Sequence, residues 1–356
     1  MQKLKIAYFG SPSFSATLLE KIINDKDLPV EVKLVITQPD MPVGRKQTLT
    51  PTPVKVMAEK YQLSIVNENL NIENSMKIEN WLLKIKKCDL ALVYAYGEIL
   101  PKEILDLPKL GFWNVHPSLL PKYRGASPIA YPLILGDKIT GVSLILMDEK
   151  MDHGPIIAQE EMEIKPEDTR TGLENKLTDL SYKMLCRVLS AKNADFLFGH
   201  LRENHRATLP NFFALAGNKK DEFKPTNQNH SQATYTQILK KSDGFIPLLI
   251  LKKCLNNEPI KLSDLPFFLQ TFIQKYSINF SFLILNSKFL ILNLFRGLSP
   301  WPGLWTTVDL RGQQLRLKIL GMELHDNQLT LTKVQLENKN PVDFKTFNNA
   351  YQLFAT

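Results

Sequence analysis

Asn114 and His116 stand two positions apart, after the apolar run Gly111-Phe112-Trp113 and just before Pro117-Ser118-Leu119-Leu120-Pro121. In an extended backbone, alternate side chains face the same side, so this spacing sets an amide beside an imidazole. The amide can donate to a developing oxyanion, and the imidazole can exchange a proton near neutral pH. A polar strand end bonding its own backbone would use the same residue types, and Asn-X-His alone is a short pattern. A second polar cluster, Asp148-Glu149-Lys150-Met151-Asp152-His153-Gly154-Pro155, closes another apolar run at 140–147. It offers two aspartates, Asp148 and Asp152. Asp148 sits before the loop as a turn residue would, and His153 reads as exposed and incidental.

The elements that must carry these clusters follow from hydrophobic periodicity. Residues 4–9 form a buried strand pattern, Gly10-Ser11-Pro12-Ser13 turns the chain, and a helix begins near Phe14. Ser13 is its expected N-cap, and Leu18, Leu19, Ile22 and Ile23 its apolar face. A strand at 30–37, helices at 54–61 and 78–87, a weak strand at 63–66 and a buried strand at 89–97 continue the rhythm of a mostly parallel α/β sheet. A helix at 126–135, strands at 140–147 and 160–164, and a long helix from Thr169 to about residue 197 complete it. Both polar clusters then fall at carboxyl ends of strands, where open α/β sheets place ligands. The first turn holds a single glycine, so the G-x-G-x-x-G dinucleotide fingerprint is absent and a nicotinamide or flavin enzyme is disfavoured.

The chain has 356 residues, enough for two ordinary domains, with 44% hydrophobic and 22% charged residues. Basic and acidic residues balance over 1–200, so the whole net charge of +8 lies in 201–356. A neutral half joined to a basic half suggests a polyanionic partner, although a solvated basic surface would give the same count. Cys88, Cys186 and Cys254 are far apart and suit a reducing compartment rather than a disulfide frame or zinc site. The most apolar stretch, 280–295, is interrupted by Asn286, Lys288 and Asn293 and is too short for a membrane span. The first residues carry no signal-peptide pattern. A cytoplasmic location is therefore expected.

Residues 37–55 hold four prolines and are too long for a minimal turn, which marks a functional or disordered loop. The polar, unpatterned run 201–232 reads as a linker between a first domain at 1–200 and a second at 233–356. Within the second, 248–295 looks like an insertion with helix-forming sequence and an extra strand pair. Short alternating strands at 314–322 and 329–335 and a terminal helix after Pro341-Val342-Asp343-Phe344 fit a small barrel. Trp301, bracketed by prolines, and Trp305 could stack on nucleotides but suit core anchoring better.

The string Asn114-Val115-His116-Pro117-Ser118-Leu119-Leu120-Pro121 resembles the signature of the folate-dependent formyltransferases. The Pro-rich loop and the segment Pro300-Trp301-Pro302 resemble the methionyl-tRNA formyltransferases among them, so the likeness spans nearly the full chain. It implies a Rossmann-like catalytic domain followed by an OB-like β-barrel domain that binds tRNA. The implied reaction moves the formyl group of 10-formyltetrahydrofolate to the α-amino group of methionyl initiator tRNA, with no metal and no membrane or DNA partner. Asn114, His116 and Asp152 match the catalytic residues. Tyr94, Tyr96, Gly97, Ser118, Leu119, Leu120 and Pro121 would line the folate pocket, the first three more by backbone than by ring. Gly10, Ser11, Pro12, Arg45, Lys46 and Arg124 would border the aminoacyl-tRNA, with Arg124 also shaping the folate side. Met41 stands where many members carry a basic residue, which weakens the electrostatic share of loop binding. The same three catalytic types also serve formyltransferases of sugar nucleotides and of glycinamide ribonucleotide, and formyl-folate hydrolases. A non-catalytic RNA-binding protein with a degenerate enzyme domain is the reading from another class.

Overall fold

The computed structural model describes residues 3–44, 46–68, 75–190, 225–279, 281 and 285–354. The chain folds into two compact units. The first comprises 1–124, 141–162 and 174–233, and the second comprises 125–140, 163–173 and 234–356. Two segments of the first 200 residues thus belong to the second unit.

The first unit is built on a seven-stranded sheet. Along the chain its elements are β1 (Leu4–Gly10), α1 (Ser13–Asn24), β2 (Val30–Ile36), the short pair β3 (Met41–Val43) and β4 (Thr48–Thr50), α2 (Pro53–Lys60), β5 (Ile65–Val66), α3 (Ser75–Lys86), β6 (Leu90–Tyr94), α4 (Lys102–Leu105) and β7 (Phe112–His116). After β8 (Arg124–Gly125) and α5 (Ala130–Leu135) come β9 (Ile139–Leu146), β10 (Ile156–Glu163) and α6 (Arg170–Val188). The sheet order is β10-β9-β7-β6-β1-β2-β5. Strands β5, β2, β1, β6 and β7 pair in parallel, and β9 runs antiparallel to β7. The parallel strands read as near-continuous apolar runs because both faces are covered. One face packs Ala7, Phe9, Ala91 and Val93 against Trp81 and Ile85 of α3. On the other, the Tyr8 hydroxyl donates to Ser15 O of α1 at 2.8 Å, and the Tyr94 hydroxyl lies 3.2 Å from Thr178 Oγ1 of α6. The chain runs outward from β1 through β2 to β5, then returns to β6 on the other side of β1. By the general rule for open α/β sheets, that reversal marks the β1–β6 crevice at the strands' carboxyl ends as the place for a ligand.

Local chemistry explains where expectation and structure part. Helix α1 starts at Ser13, so its N-cap is Pro12 and not Ser13. The helix expected at 126–135 is only Ala130–Leu135, because Pro128 disfavours helical geometry at Ser127. The Pro-rich loop, expected to lack regular structure, contains the β3–β4 hairpin, with Met41 opposite Thr50 and Val43 opposite Thr48. Proline is tolerated in such a two-stranded edge ribbon, where one row of N–H groups needs no partner. All six hairpin strand residues are exposed, Lys46 lies at the exposed turn, and Arg45 lies outside the described residues.

In the second unit, β12 (Leu304–Leu310), β13 (Gln313–His325), β14 (Gln328–Leu336) and β15 (Val342–Asp343) form a four-stranded antiparallel sheet in that order, after the short β11 (Tyr235–Thr236). The strand pair expected within 248–295 is not formed among the described residues. Helices Leu248–Leu255, Phe267–Lys275 and Ser287–Leu298 occupy that span. The Ile, Leu and Phe content that suggested strands is spaced for a helix: Leu290, Ile291, Leu294 and Leu298 share its buried face. Gly297 brings that helix against α5, where a Cβ would lie 2.9 Å from Ala130 O. Trp305 is anchored by donating Nε1–H to Lys241 O at 3.0 Å, with Arg316 4.9 Å over its ring. Trp301 is 54% exposed and is no core anchor. No described helix is long and apolar enough to cross a membrane.

Candidate active site

Strand β7 delivers Asn114 and His116 at its carboxyl end, opposite Ile145 and Ser143 of β9. Asp152 reaches them from the loop joining β9 to β10. Asn114 Nδ2 donates to Asp152 Oδ1 at 3.1 Å, and His116 Nδ1 lies 3.5 Å from the same oxygen. His116 is buried, and its Nε2 lies 3.0 Å from Tyr123 O. A carbonyl only accepts, so Nε2 carries the hydrogen and Nδ1 is the nitrogen that gains or loses a proton. The Tyr123 carbonyl sets the ring, while the carboxylate sits just beyond direct hydrogen-bond length from Nδ1.

The Ser-Leu-Leu-Pro loop is held from beneath. Ser143 Oγ donates to Ser118 O at 2.7 Å and accepts from Leu120 N at 3.0 Å and from Gln159 Nε2 at 2.7 Å. Gln159 Nε2 also lies 3.1 Å from Leu120 O, and Ser118 Oγ donates to Lys122 O at 2.7 Å. Ser118 and Leu120 are buried by this network, whereas Leu119 and Pro121 are half-buried. Ser143→Ala removes the acceptor of a buried N–H and should lower stability by ~1–3 kcal/mol. Thermal or urea unfolding of the variant measures it.

Around the β1–β6 crevice, Gly10 comes so close to Ser15 Oγ and Tyr94 O that any side chain would collide. Ser11 Oγ donates to Tyr96 O at 3.0 Å, tying the two loops together, and Pro12 begins α1. Gly97 has φ +92°, and a Cβ there would lie 2.7 Å from Gln38 Nε2. The Tyr94 and Tyr96 rings are buried. Burial pushes the Tyr94 phenol up to about 12, so it stays a neutral hydroxyl beside Thr178. Tyr96 packs edge-on to Phe9 at 5.4 Å. Both rings are thus taken up by the core, and only backbone of these two residues is left at the carboxyl end of β6.

Arg124, expected at the substrate, is 1% exposed. Its Nε and Nη2 donate to Gln228 Oε1 at 3.2 and 2.6 Å, and Nη2 donates to His230 Nδ1 at 2.9 Å. His153 is not the exposed, incidental residue expected. It bonds Asp148 Oδ2 through Nδ1 at 2.6 Å and stacks on His230 with ring centroids 3.9 Å apart. His230 is exposed, and local desolvation with His153 and Arg124 beside it lowers its imidazole from the ordinary histidine value. Residues 201–224 of the expected linker lie outside the described residues. Its end does not merely connect: Thr226 bridges to Ile156 and Gln228 is buried. Gln228 was the residue sequence reasoning missed, because a lone Gln in a polar run carries no periodic or motif signal.

Asn114, His116 and Asp152 thus meet at the carboxyl end of β7, His116 buried and the other two half-buried. Residues 4–189 match the formyl transferase family, and the chain belongs to it. Over the longer chain it is 32% identical to the methionyl-tRNA formyltransferase of Caldicellulosiruptor saccharolyticus, covering 98% of each. It is 34% identical to the methionyl-tRNA formyltransferase of Staphylococcus aureus strain JH1, covering 90% of this chain and 79% of that one. The crystal structure of a 4-N formyltransferase from Francisella tularensis shares the fold, with a TM-score of 0.51 at 16% identity over 89% of this chain and 97% of that one.

Proposed function

We propose that the protein transfers the formyl group of 10-formyltetrahydrofolate to the α-amino group of methionine on initiator tRNA. The observation that carries the chemistry is the convergence of Asn114 Nδ2 and His116 Nδ1 on one Asp152 oxygen. The likeness to methionyl-tRNA formyltransferases along nearly the whole chain supports the acceptor. Because the chain also carries the Pro-rich hairpin and has its whole net charge of +8 within residues 201–356, a polyanionic acceptor suits it.

In this reading the amine nitrogen attacks the formyl carbon, and the carbonyl electron pair moves to oxygen. Asn114 spends one N–H on Asp152 and directs the other at the oxyanion. His116 Nδ1 takes the proton released by the attacking amine, the imidazolium being favoured by Asp152. It returns that proton to the folate nitrogen as the carbon–nitrogen bond breaks. The folate lies in the β1–β6 crevice against the backbone of Tyr94, Tyr96 and Gly97 and the loop from Ser118 to Pro121. Gly10, Ser11 and Pro12 border the aminoacyl end. Arg124, being buried, supports this site from behind.

The test is a comparison of acceptors with 10-formyltetrahydrofolate: methionyl-tRNA, an amino-sugar nucleotide and glycinamide ribonucleotide. Formylation of methionyl-tRNA alone supports the reading, and formylation of a small amine alone overturns it. Arg45→Ala separates loop from chemistry. One lost charge-assisted contact is worth ~1.5 kcal/mol, so kcat/KM for tRNA should fall about tenfold. The KM for the folate should stay unchanged in the same assay.

A further inference from the structure

The loop that presents Asp152 is not self-supporting. Asp152 has φ +50°, a left-handed backbone that non-glycine residues seldom adopt. Two residues on, Gly154 presses so closely on Leu146 O that a side chain there would collide. The loop's carbonyls at Asp152 and Gly154 both point to the Gln228 amide, whose Nε2 donates to them at 2.9 and 2.7 Å. The same amide's oxygen accepts from Arg124 Nε and Nη2. A guanidinium only donates, so the oxygen must face Arg124 and the NH2 must face the loop. With two donors given and two bonds accepted, the 5%-exposed side chain is fully satisfied. Its own segment is fixed on both sides. Thr226 and Ile156 exchange two backbone bonds of 2.8 Å, and His230 stacks on His153. Residues 226–230 therefore clasp the run 152–156 at three points, with Gln228 at the centre.

We propose that Gln228 is a positioning residue for the reaction: with Arg124 as its anchor, it holds the Asp152 loop so that the carboxylate faces His116 Nδ1. This rests on the formyl-transfer reading above. Gln228 touches no reacting atom. It acts through the peptide carbonyls on either side of His153, and hence through the direction in which the Asp152 side chain leaves the backbone. Misplacing a reacting group by about 1 Å costs on the order of 100-fold in rate, so the effect should appear in kcat and not in binding.

Two variants of the full chain separate positioning from folding. Gln228→Met keeps the volume and removes every hydrogen bond. Gln228→Glu keeps the acceptor for Arg124, removes both donors to the loop and sets a carboxylate against two carbonyls. Both should lose kcat by about 100-fold per folded enzyme, while KM for the formyl donor and acceptor stays within about threefold. A readout independent of turnover is the NMR spectrum of the His116 ring at fixed pH, since the ring faces the Asp152 carboxylate at Nδ1 and the Tyr123 carbonyl at Nε2. In Gln228→Met the ring resonances should move, because the carboxylate recedes from Nδ1. Folded variants with wild-type kcat and unmoved His116 resonances would overturn the proposal. A Gln228→Met chain that does not fold leaves Gln228→Glu to decide it by kcat per folded enzyme. A wild-type chain inactive on every acceptor, with the His116 resonances still moved by Gln228→Met, would sink the formyl-transfer reading and leave the positioning role standing.

Discussion

Asp152→Asn is expected to lower kcat by ~100- to 10,000-fold, the range spanned by loss of acid–base catalysis, with the folded state intact. Asparagine is the informative replacement because it tolerates the left-handed backbone that Asp152 adopts. It also keeps an oxygen for the Asn114 amide. Only the charge facing His116 Nδ1 is lost, and with it the preference for the imidazolium formed as the amine attacks. His116→Ala should match it in size, since both remove the same proton shuttle and residues that act as a unit are not additive. Steady-state kinetics with circular dichroism on the same samples decides the matter. A folded Asp152→Asn chain with near-wild-type turnover would mean that the carboxylate is structural.

Asn114→Ala should cost ~100- to 1,000-fold in kcat, as removal of one oxyanion donor does. KM for the formyl donor should change little, because the donor hydrogen bond strengthens only as charge develops on oxygen. A second consequence follows from the 3.1 Å bond to Asp152. Without Asn114 the carboxylate is less well fixed, so the Asn114→Ala and Asp152→Asn losses should combine to less than their product. Full multiplicativity in the double variant would show that the two side chains act separately.

The Asn-His-Asp cluster was legible because its members lie in short, chemically unusual strings at strand ends, where alternation and strand-end placement suffice to bring them together. The first unit's strands were legible for the same reason: runs such as 4–9 and 89–97 bury both faces and leave little ambiguity. Less legible were features decided by pairing across the chain. Pro42 and its neighbours gave no period, yet the loop forms a hairpin because Thr48, Leu49 and Thr50 lie opposite. The helix Ser287–Leu298 was obscured by β-favouring composition, and its packing against α5 settles the matter. Tyr94 and Arg124 were placed near ligands by their motifs, but their side chains are spent on Thr178 and on Gln228 with His230. Gln228 had no signal at all. Its importance comes from Asp152 and Arg124, which lie 76 and 104 positions away.

The most direct test of the account is formylation of methionyl initiator tRNA by the purified full chain with 10-formyltetrahydrofolate, measured beside methionyl elongator tRNA. One tetrahydrofolate should be released per formylmethionyl initiator tRNA formed, with the elongator a poor acceptor and His116→Ala inactive on both. Release of tetrahydrofolate and formate with neither tRNA formylated would contradict it and make water the acceptor at the same Asn-His-Asp site.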